Sequence, residues 1–220
     1  KEKISGNLRF KLEIIVFKRC RPFTITHTAG SVAPVTKTVT YGVVETDLSG
    51  RKKCWITQNL GADRQALSAS DVSEASAGWY WQFSRKQGFK HDSRFRTPSY
   101  AWDRVINGNN DWLTNNDPCT LLLGSSWRMP TRTEWETTGQ RGKWKKGNDP
   151  YTSELKLHAA GRLDLSDGTL HGRGNSGYYW TSSQSKSENG WYFYLTFYNN
   201  KTGMGSYGIS SGFCLRCISD

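Results

Sequence analysis

The alternation of apolar and polar positions is strongest near the two ends of the chain. Residues 8–17, "LRFKLEIIVF", alternate well enough to predict a β-strand, and a turn-rich stretch follows at 28–37, "TAGSVAPVTK". "TVTYGVVETD" predicts a second strand and "CWITQNLG" a third. From Ser68 the pattern changes. "SASDVSEASAGWYWQFSRKQG" opens on Ser and Asp and carries Ala and Glu inside, which predicts a helix with aromatics at 79, 81 and 83. Residues 90–117 are polar and rich in Asn, Asp and Trp, so they predict irregular loop with at most a short helix near "YAWDRVI". "TRTEWE" at 131–136 is a capping box: Thr131 can accept from the backbone N–H of Glu134, whose side chain can reach back. Pro130 limits where that helix begins. After Gly161 short strands, "YYWTSS", "WYFYLTF" and "FCLRCIS", are separated by Gly, Asn and Ser turns. The expected class is α+β, with two helices early and a twisted antiparallel sheet late. Residues 1–40 read as a β-arm or the end of a preceding β-domain, and residues 41–220 as the main domain.

Composition sharpens this. The 220 residues include 10 Trp, 10 Tyr and 9 Phe, so aromatics fill much of the core and leave some for surfaces. No apolar run reaches the roughly 20 residues of a spanning helix, so a membrane-spanning chain is not expected. The chain opens on Lys1 without a signal-peptide pattern and reads as a mature or excised fragment. A net charge of +11 raises the question of a polyanion partner. The cations are scattered in short groups ("RKK" at 51–53, "KWKK" at 143–146) with no basic helix or RNA-binding motif, so specific nucleic-acid binding is not expected. The five cysteines lack zinc spacing, and "CLRC" closes the chain instead of opening a helix, against a thioredoxin-like role. Two disulfides and one odd thiol, in an extracytoplasmic setting, is the preferred count; reduced buried cysteines in a cytosolic protein is the alternative.

Four ordered segments carry a family resemblance: "KCWITQNLGA" (53–62), "SSWRMPTRTEWE" (125–136), "HAAGRLDLSDGTLHGRGNSGYYWTSS" (158–183) and "GFCLRCISD" (212–220). Across about residues 40–220 the chain resembles the Fibrobacter succinogenes major paralogous domain, abundant in Bacteroidetes and their phages. The resemblance implies a C-type-lectin-like fold, related to formylglycine-generating enzymes and to the variable proteins of diversity-generating retroelements. It implies surface or secreted proteins at the tips of fibres or multidomain chains. It places Trp55, Trp127, Trp135 and Trp180 in the core and a long-range bridge between Cys119 and Cys217. With that bridge placed, Cys20 is expected to join Cys54. Cys214 stands where the family more often has a small residue, which leaves a free thiol or a scrambled pairing.

Enzyme chemistry finds little support. Formylglycine-generating relatives need a reactive cysteine pair, and Cys217 is already assigned to the bridge. His27, His91, His158 and His171 are isolated from one another in sequence, and His158 is expected in a turn or the core. Glu134 is explained by the cap. The tripeptides that hold calcium in sugar-binding C-type lectins are absent, and "NGNNDW" and "DLSDG" read as self-bonded turns. Neither catalytic residues, a metal nor a cofactor is expected.

Binding is better supported. In residues 177–208, Trp180 and Trp191 are expected inward with Phe193, Leu195 and Phe197 following, leaving Tyr192, Tyr194, Thr196 and Tyr198 outward. The flanking stretches 184–190 and 199–211, expected as loops, add Gln184, Ser185, Lys186, Asn189, Asn199, Asn200, Met204, Ser206 and Tyr207. Tyr offers large contact at low entropy cost, while Ser, Gly and Asn offer adaptable hydrogen bonds. The ordinary alternative is a turn-rich β-meander. Adenine-directed mutagenesis by a retroelement would yield the same composition, and Cys214 with it. The expected function is a non-catalytic receptor or adhesin domain with a protein or glycan ligand. The alternative is an assembly module at the tip of a fibre, pilus or phage tail.

Overall fold

Residues 38–47 form two strands instead of one, because the chain must pass close to Thr57 at Gly42. A side chain there would put its Cβ 2.5 Å from Thr57 Oγ1. In the computed structural model, which describes residues 20–220, β1 (Phe23–His27) and β2 (Lys37–Tyr41) make an antiparallel hairpin. β3 (Val43–Thr46) turns away to pair with β4 (Lys53–Ile56). The strand expected at 8–17 lies outside the described residues.

The helix expected from Ser68 shrinks to one turn, α1 (Glu74–Ala77), capped by Ser73. Gly78, at φ 72°, ends it, and the aromatics that follow take a period of two, not 3.6. β5 (Tyr80–Gln82) continues through β6 (Gly88–His91) and β7 (Arg96–Thr97). No α-helix forms near Tyr100–Ile106. Two unexpected short helices, α2 (Pro118–Leu123) and α4 (Asp149–Thr152), bracket β8 (Trp127–Arg128) and α3 (Arg132–Arg141). The described residues thus hold four α-helices, not two. The capping box of α3 is present in both directions.

The rest is strand: β9 (Arg162–Leu163), β10 (Leu170–His171), β11 (Ser176–Lys186), β12 (Asn189–Thr196), β13 (Lys201–Gly208), β14 (Gly212–Cys214) and β15 (Ile218–Ser219). The main sheet runs β13-β12-β11-β14-β5-β6-β7, with β9 and β10 attached at β14. A second sheet, β3-β4-β15-β8, carries the C-terminus. Pairing is antiparallel except between β11 and β14. The fold is α+β.

The main sheet divides two cores, and alternation along each strand decides which core a residue enters. Trp79, Trp81, Phe83, Trp180, Phe213 and Leu215 enter one, covered by the β1–β2 hairpin, α2 and Met129. Tyr80, Tyr179, Phe193, Leu195 and Cys214 enter the other, covered by Trp135 of α3, Trp144 and Leu155. The hairpin is sewn in by Phe23 against Trp127 (5.5 Å) and His27 against Trp79 (5.3 Å). Trp55, Trp127, Trp135 and Trp180 are all buried. Cys119–Cys217 is bridged as the resemblance implied, and Cys20–Cys54 is bridged as expected once that pair was placed. Arg216 of the closing motif is buried and donates to Asn59 Oδ1, Ile56 O, Leu155 O and Lys156 O, so one guanidinium fork ties three segments together. Among the described residues no helix is long and apolar enough to cross a membrane.

Candidate functional site

β12 presents Tyr192, Tyr194 and Thr196 on the face it shares with Trp180. The register sets Trp180 opposite Tyr192 and Tyr178 opposite Tyr194, so all four stand on one side. Trp191, Phe193 and Leu195 stand on the other with Tyr179. Trp180 and Trp191 are therefore not on one inward face: Trp180 is buried with the tyrosines' core, and Trp191 is half-buried under the Arg132 guanidinium, 3.6 Å above its ring.

The tyrosines lie down because β13 offers glycine across from them. Tyr192 pairs with Gly205 and Tyr194 with Gly203. A Cβ on Gly205 would sit 2.7 Å from Tyr192 Cζ, so the ring occupies the space a side chain would need. Tyr192 also lies 5.0 Å from Phe213 and 5.8 Å from Tyr178. The expectation that it lacks packing is corrected: it caps the core. Burial, with Tyr178, Tyr194 and Tyr207 around it, pushes its hydroxyl up to about 12. Tyr207 stacks along Phe213 at 6.3 Å. Over this platform reaches Arg162, its guanidinium 5.2 Å from the Tyr207 ring and 5.9 Å from Tyr178, with Asp164 at 3.5 Å. The result is a half-buried aromatic floor with one cation, able to take a flat apolar face and hydrogen bonds together.

The remaining expected residues do not all join it. Met204 and Ser206 pair with Phe193 and Trp191, so they belong to the opposite face. The stretch 199–211, expected as loop, is mostly β13, and the stretch 184–190 reduces to a turn at Ser187 and Glu188. Gln184, Ser185, Lys186 and Asn189 cluster at one end of the hairpin; Tyr198, Asn199 and Asn200 form the turn at the other. The eight residues of β12 set these ends about 27 Å apart. Gln184 is held by packing duties: its N–H donates to Asp111 Oδ1 and its Nε2 to Gly108 O. Tyr198 is 96% exposed. Sequence reasoning missed Tyr178 and Arg162. Tyr178 was legible, being two residues before Trp180 in an alternating strand; Arg162 was not, since only the fold brings β9 to the platform.

The residues set aside as chemistry are engaged in structure. Cys214 is buried, its thiol donates to Ala77 O, and burial pushes it up to about 12, so it stays protonated. Burial raises the Glu134 carboxyl, but Arg128, the Thr131 N–H and Lys53 outweigh that and hold it at about 2. Arg132 donates to Glu136 at 2.7 Å. His158 is buried in the core, as expected, and burial beside Arg216 lowers it to about 3. Asp164 and Asp167 accept from Ser166 and Thr169 two residues on, which makes "DLSDG" a pair of self-bonded turns.

No protein-family model, curated protein or solved structure matches the chain.

Proposed function

We propose that this chain is a non-catalytic ligand-binding domain of the C-type-lectin-like kind, a relative of the Fibrobacter succinogenes major paralogous domain displayed outside the cytoplasm. The observation that carries the reading is the aromatic platform: Tyr178, Tyr192, Tyr194 and Tyr207 stay half-buried on one sheet face, with Arg162 over the rings of Tyr178 and Tyr207. Rigid tyrosines on strands lose little entropy when they meet a partner, and the Ser, Asn and Gly around them adapt to its polar groups. Two disulfides fit an oxidising compartment. The ligand is a protein or glycan on a bacterial or phage surface. The chain binds through residues 178–211, and residues 178–215 are the segment that a diversity-generating retroelement would vary, because backbone pairing and the buried alternate positions hold the strands while outward side chains change.

The test screens the full chain and its Tyr194→Ala/Tyr207→Ala variant against a glycan array and purified surface and virion proteins. Binding that the double variant abolishes while retaining its melting temperature supports the reading. Binding indifferent to both tyrosines, or a homo-oligomer that buries the platform, overturns it, the second outcome in favour of an assembly module.

A further inference from the structure

The main sheet ends at β13. Its inner edge pairs with β12 from Lys201 to Gly208, and its outer edge meets no strand among the described residues. Edge strands this long usually carry a proline, an inward charge or a cover. β13 has no proline and no acid, and its one charged residue, Lys201, stands at the first position. Beside the edge runs a groove of about 280 Å³ between α3 and the Phe193 face. Trp135, Phe193 and Met204 line it with Gly139, Gln140 and Trp144. That volume is small for a drug-sized ligand and suits one apolar side chain.

The charge beside it is mostly cationic: Glu136, which also lines the groove, is paired with Arg132 at 2.7 Å, and Asp149 accepts from the backbone N–H groups of Lys145 and Lys146. Lys143, Lys145 and Lys146 follow α3, and the Gly147 N–H donates to Asn200 Oδ1 at 3.1 Å, which holds this loop against the start of β13 beside Lys201. All four lysines are exposed, and none makes an ion pair among the described residues. We propose that the β13 edge docks an extended acidic peptide of another protein, which adds as a further strand and sets one apolar side chain in the groove. Main-chain pairing supplies the affinity, the groove selects the side chain, and the lysines select the charge. A second copy of this chain would bring the same lysines to the same edge, against its own repulsion. Met204 and the groove lie on the sheet face opposite Tyr192 and Tyr194, so the site is independent of the platform.

Fluorescence anisotropy of the full chain with a labelled heptapeptide, Glu-Thr-Glu-Phe-Glu-Thr-Glu, at low salt tests this. The controls are the same peptide with Lys for every Glu, and one with alternate backbone nitrogens methylated. Gly139→Leu fills the groove: an added Cβ has its nearest neighbours at 3.9 and 4.0 Å, and a helix interior accepts Leu better than Gly. Lys145→Glu/Lys146→Glu/Lys201→Glu reverses the charge. The expected result is saturable binding of the acidic peptide, weakened about tenfold by Gly139→Leu and about tenfold by the charge reversal, and lost in both control peptides. Absence of saturable binding overturns the proposal. So does binding that survives Gly139→Leu or methylation, which places the peptide elsewhere, or a β13-dependent dimer in sedimentation, which makes a second copy the occupant.

Discussion

The two faces of the β11–β12–β13 sheet are built from neighbouring residues of the same strands, yet they end in opposite conditions. On one face Phe193 is stacked on Trp135 at 5.0 Å and closed over by Trp144 at 5.5 Å. On the other, one residue away, Tyr192 and Tyr194 lean over glycines and remain part-exposed. Composition does not separate them, since both are aromatic. What separates them is cover: α3 crosses one face, while beyond Trp180 and Phe213 the other face runs out from under the β1–β2 hairpin and α2. An aromatic strand is therefore core or contact surface according to what lies over it, which the strand's own sequence does not state.

The largest effects fall on the covered side and on its ties. Phe193→Ala should cost about 3–5 kcal/mol in denaturant unfolding, because it removes a stacked ring from a filled core. Tyr194→Ala should cost under about 1 kcal/mol; near-equal losses would erase the distinction between the faces. Replacing Cys119 and Cys217 with Ser opens a bridge of sequence separation 98 and should cost about 4–5 kcal/mol in the chain-entropy description.

Acid should reach both cores through their histidines. His27, against Trp79, is lowered to about 4 by burial and Lys37; His158 is lowered to about 3 by burial and Arg216, with Arg173 and Arg64 reinforcing and Asp71 opposing. An unfolded histidine takes its proton near 6.5, so between that pH and the folded values the unfolded chain holds more protons. The stabilisation is complete above pH 6.5 and declines as pH falls toward 4 and then 3, at about 1.4 kcal/mol per pH unit for each histidine. His27→Gln and His158→Gln should each flatten the slope of stability against pH over that window. A slope unchanged in both variants would mean that other groups carry it.

Much of the scaffold was legible. The capping box fixed the start of α3, and the alternation within 178–183 and 191–197 pointed to the two strands that β11 and β12 extend. The site was legible only in part. Tyr192, Tyr194, Thr196 and Tyr207 do share a face, but Met204 and Ser206 look plausible in sequence only while 199–211 is taken for loop; once it is a strand, period two sends them to the other side. The helix expected from Ser68 fails at both ends: residues 68–73 form turns in which Asp71 accepts from the Leu67 and Ser73 N–H groups, and Gly78 stops the single turn that follows. Gly78 takes a positive φ, and Trp79, Trp81 and Phe83, spaced by two, suit a strand that feeds one core with every second side chain. Arg162 could not be found at all, because its partners Tyr178 and Tyr207 are brought to it by sheet order and not by spacing.

The smaller effects sharpen the comparison at its boundary. Gly205→Ala places a Cβ where the Tyr192 ring lies and should cost about 1–3 kcal/mol as the ring is displaced. Gly203→Ala, whose nearest neighbour is the Tyr194 hydroxyl at 3.6 Å, has room and should cost little. The two substitutions are chemically identical and two residues apart on one strand, so their difference reports how firmly each tyrosine is seated. If both are tolerated equally, Tyr192 is free to lift, and the floor beneath Arg162 is a mobile pair of side chains in place of a platform. If only Gly205→Ala destabilises, Tyr192 is the fixed rear wall and Tyr194 the adaptable lip. Ligand contact then falls to Tyr194, Tyr207 and Tyr178, the tyrosines that can be exchanged at little cost to the fold.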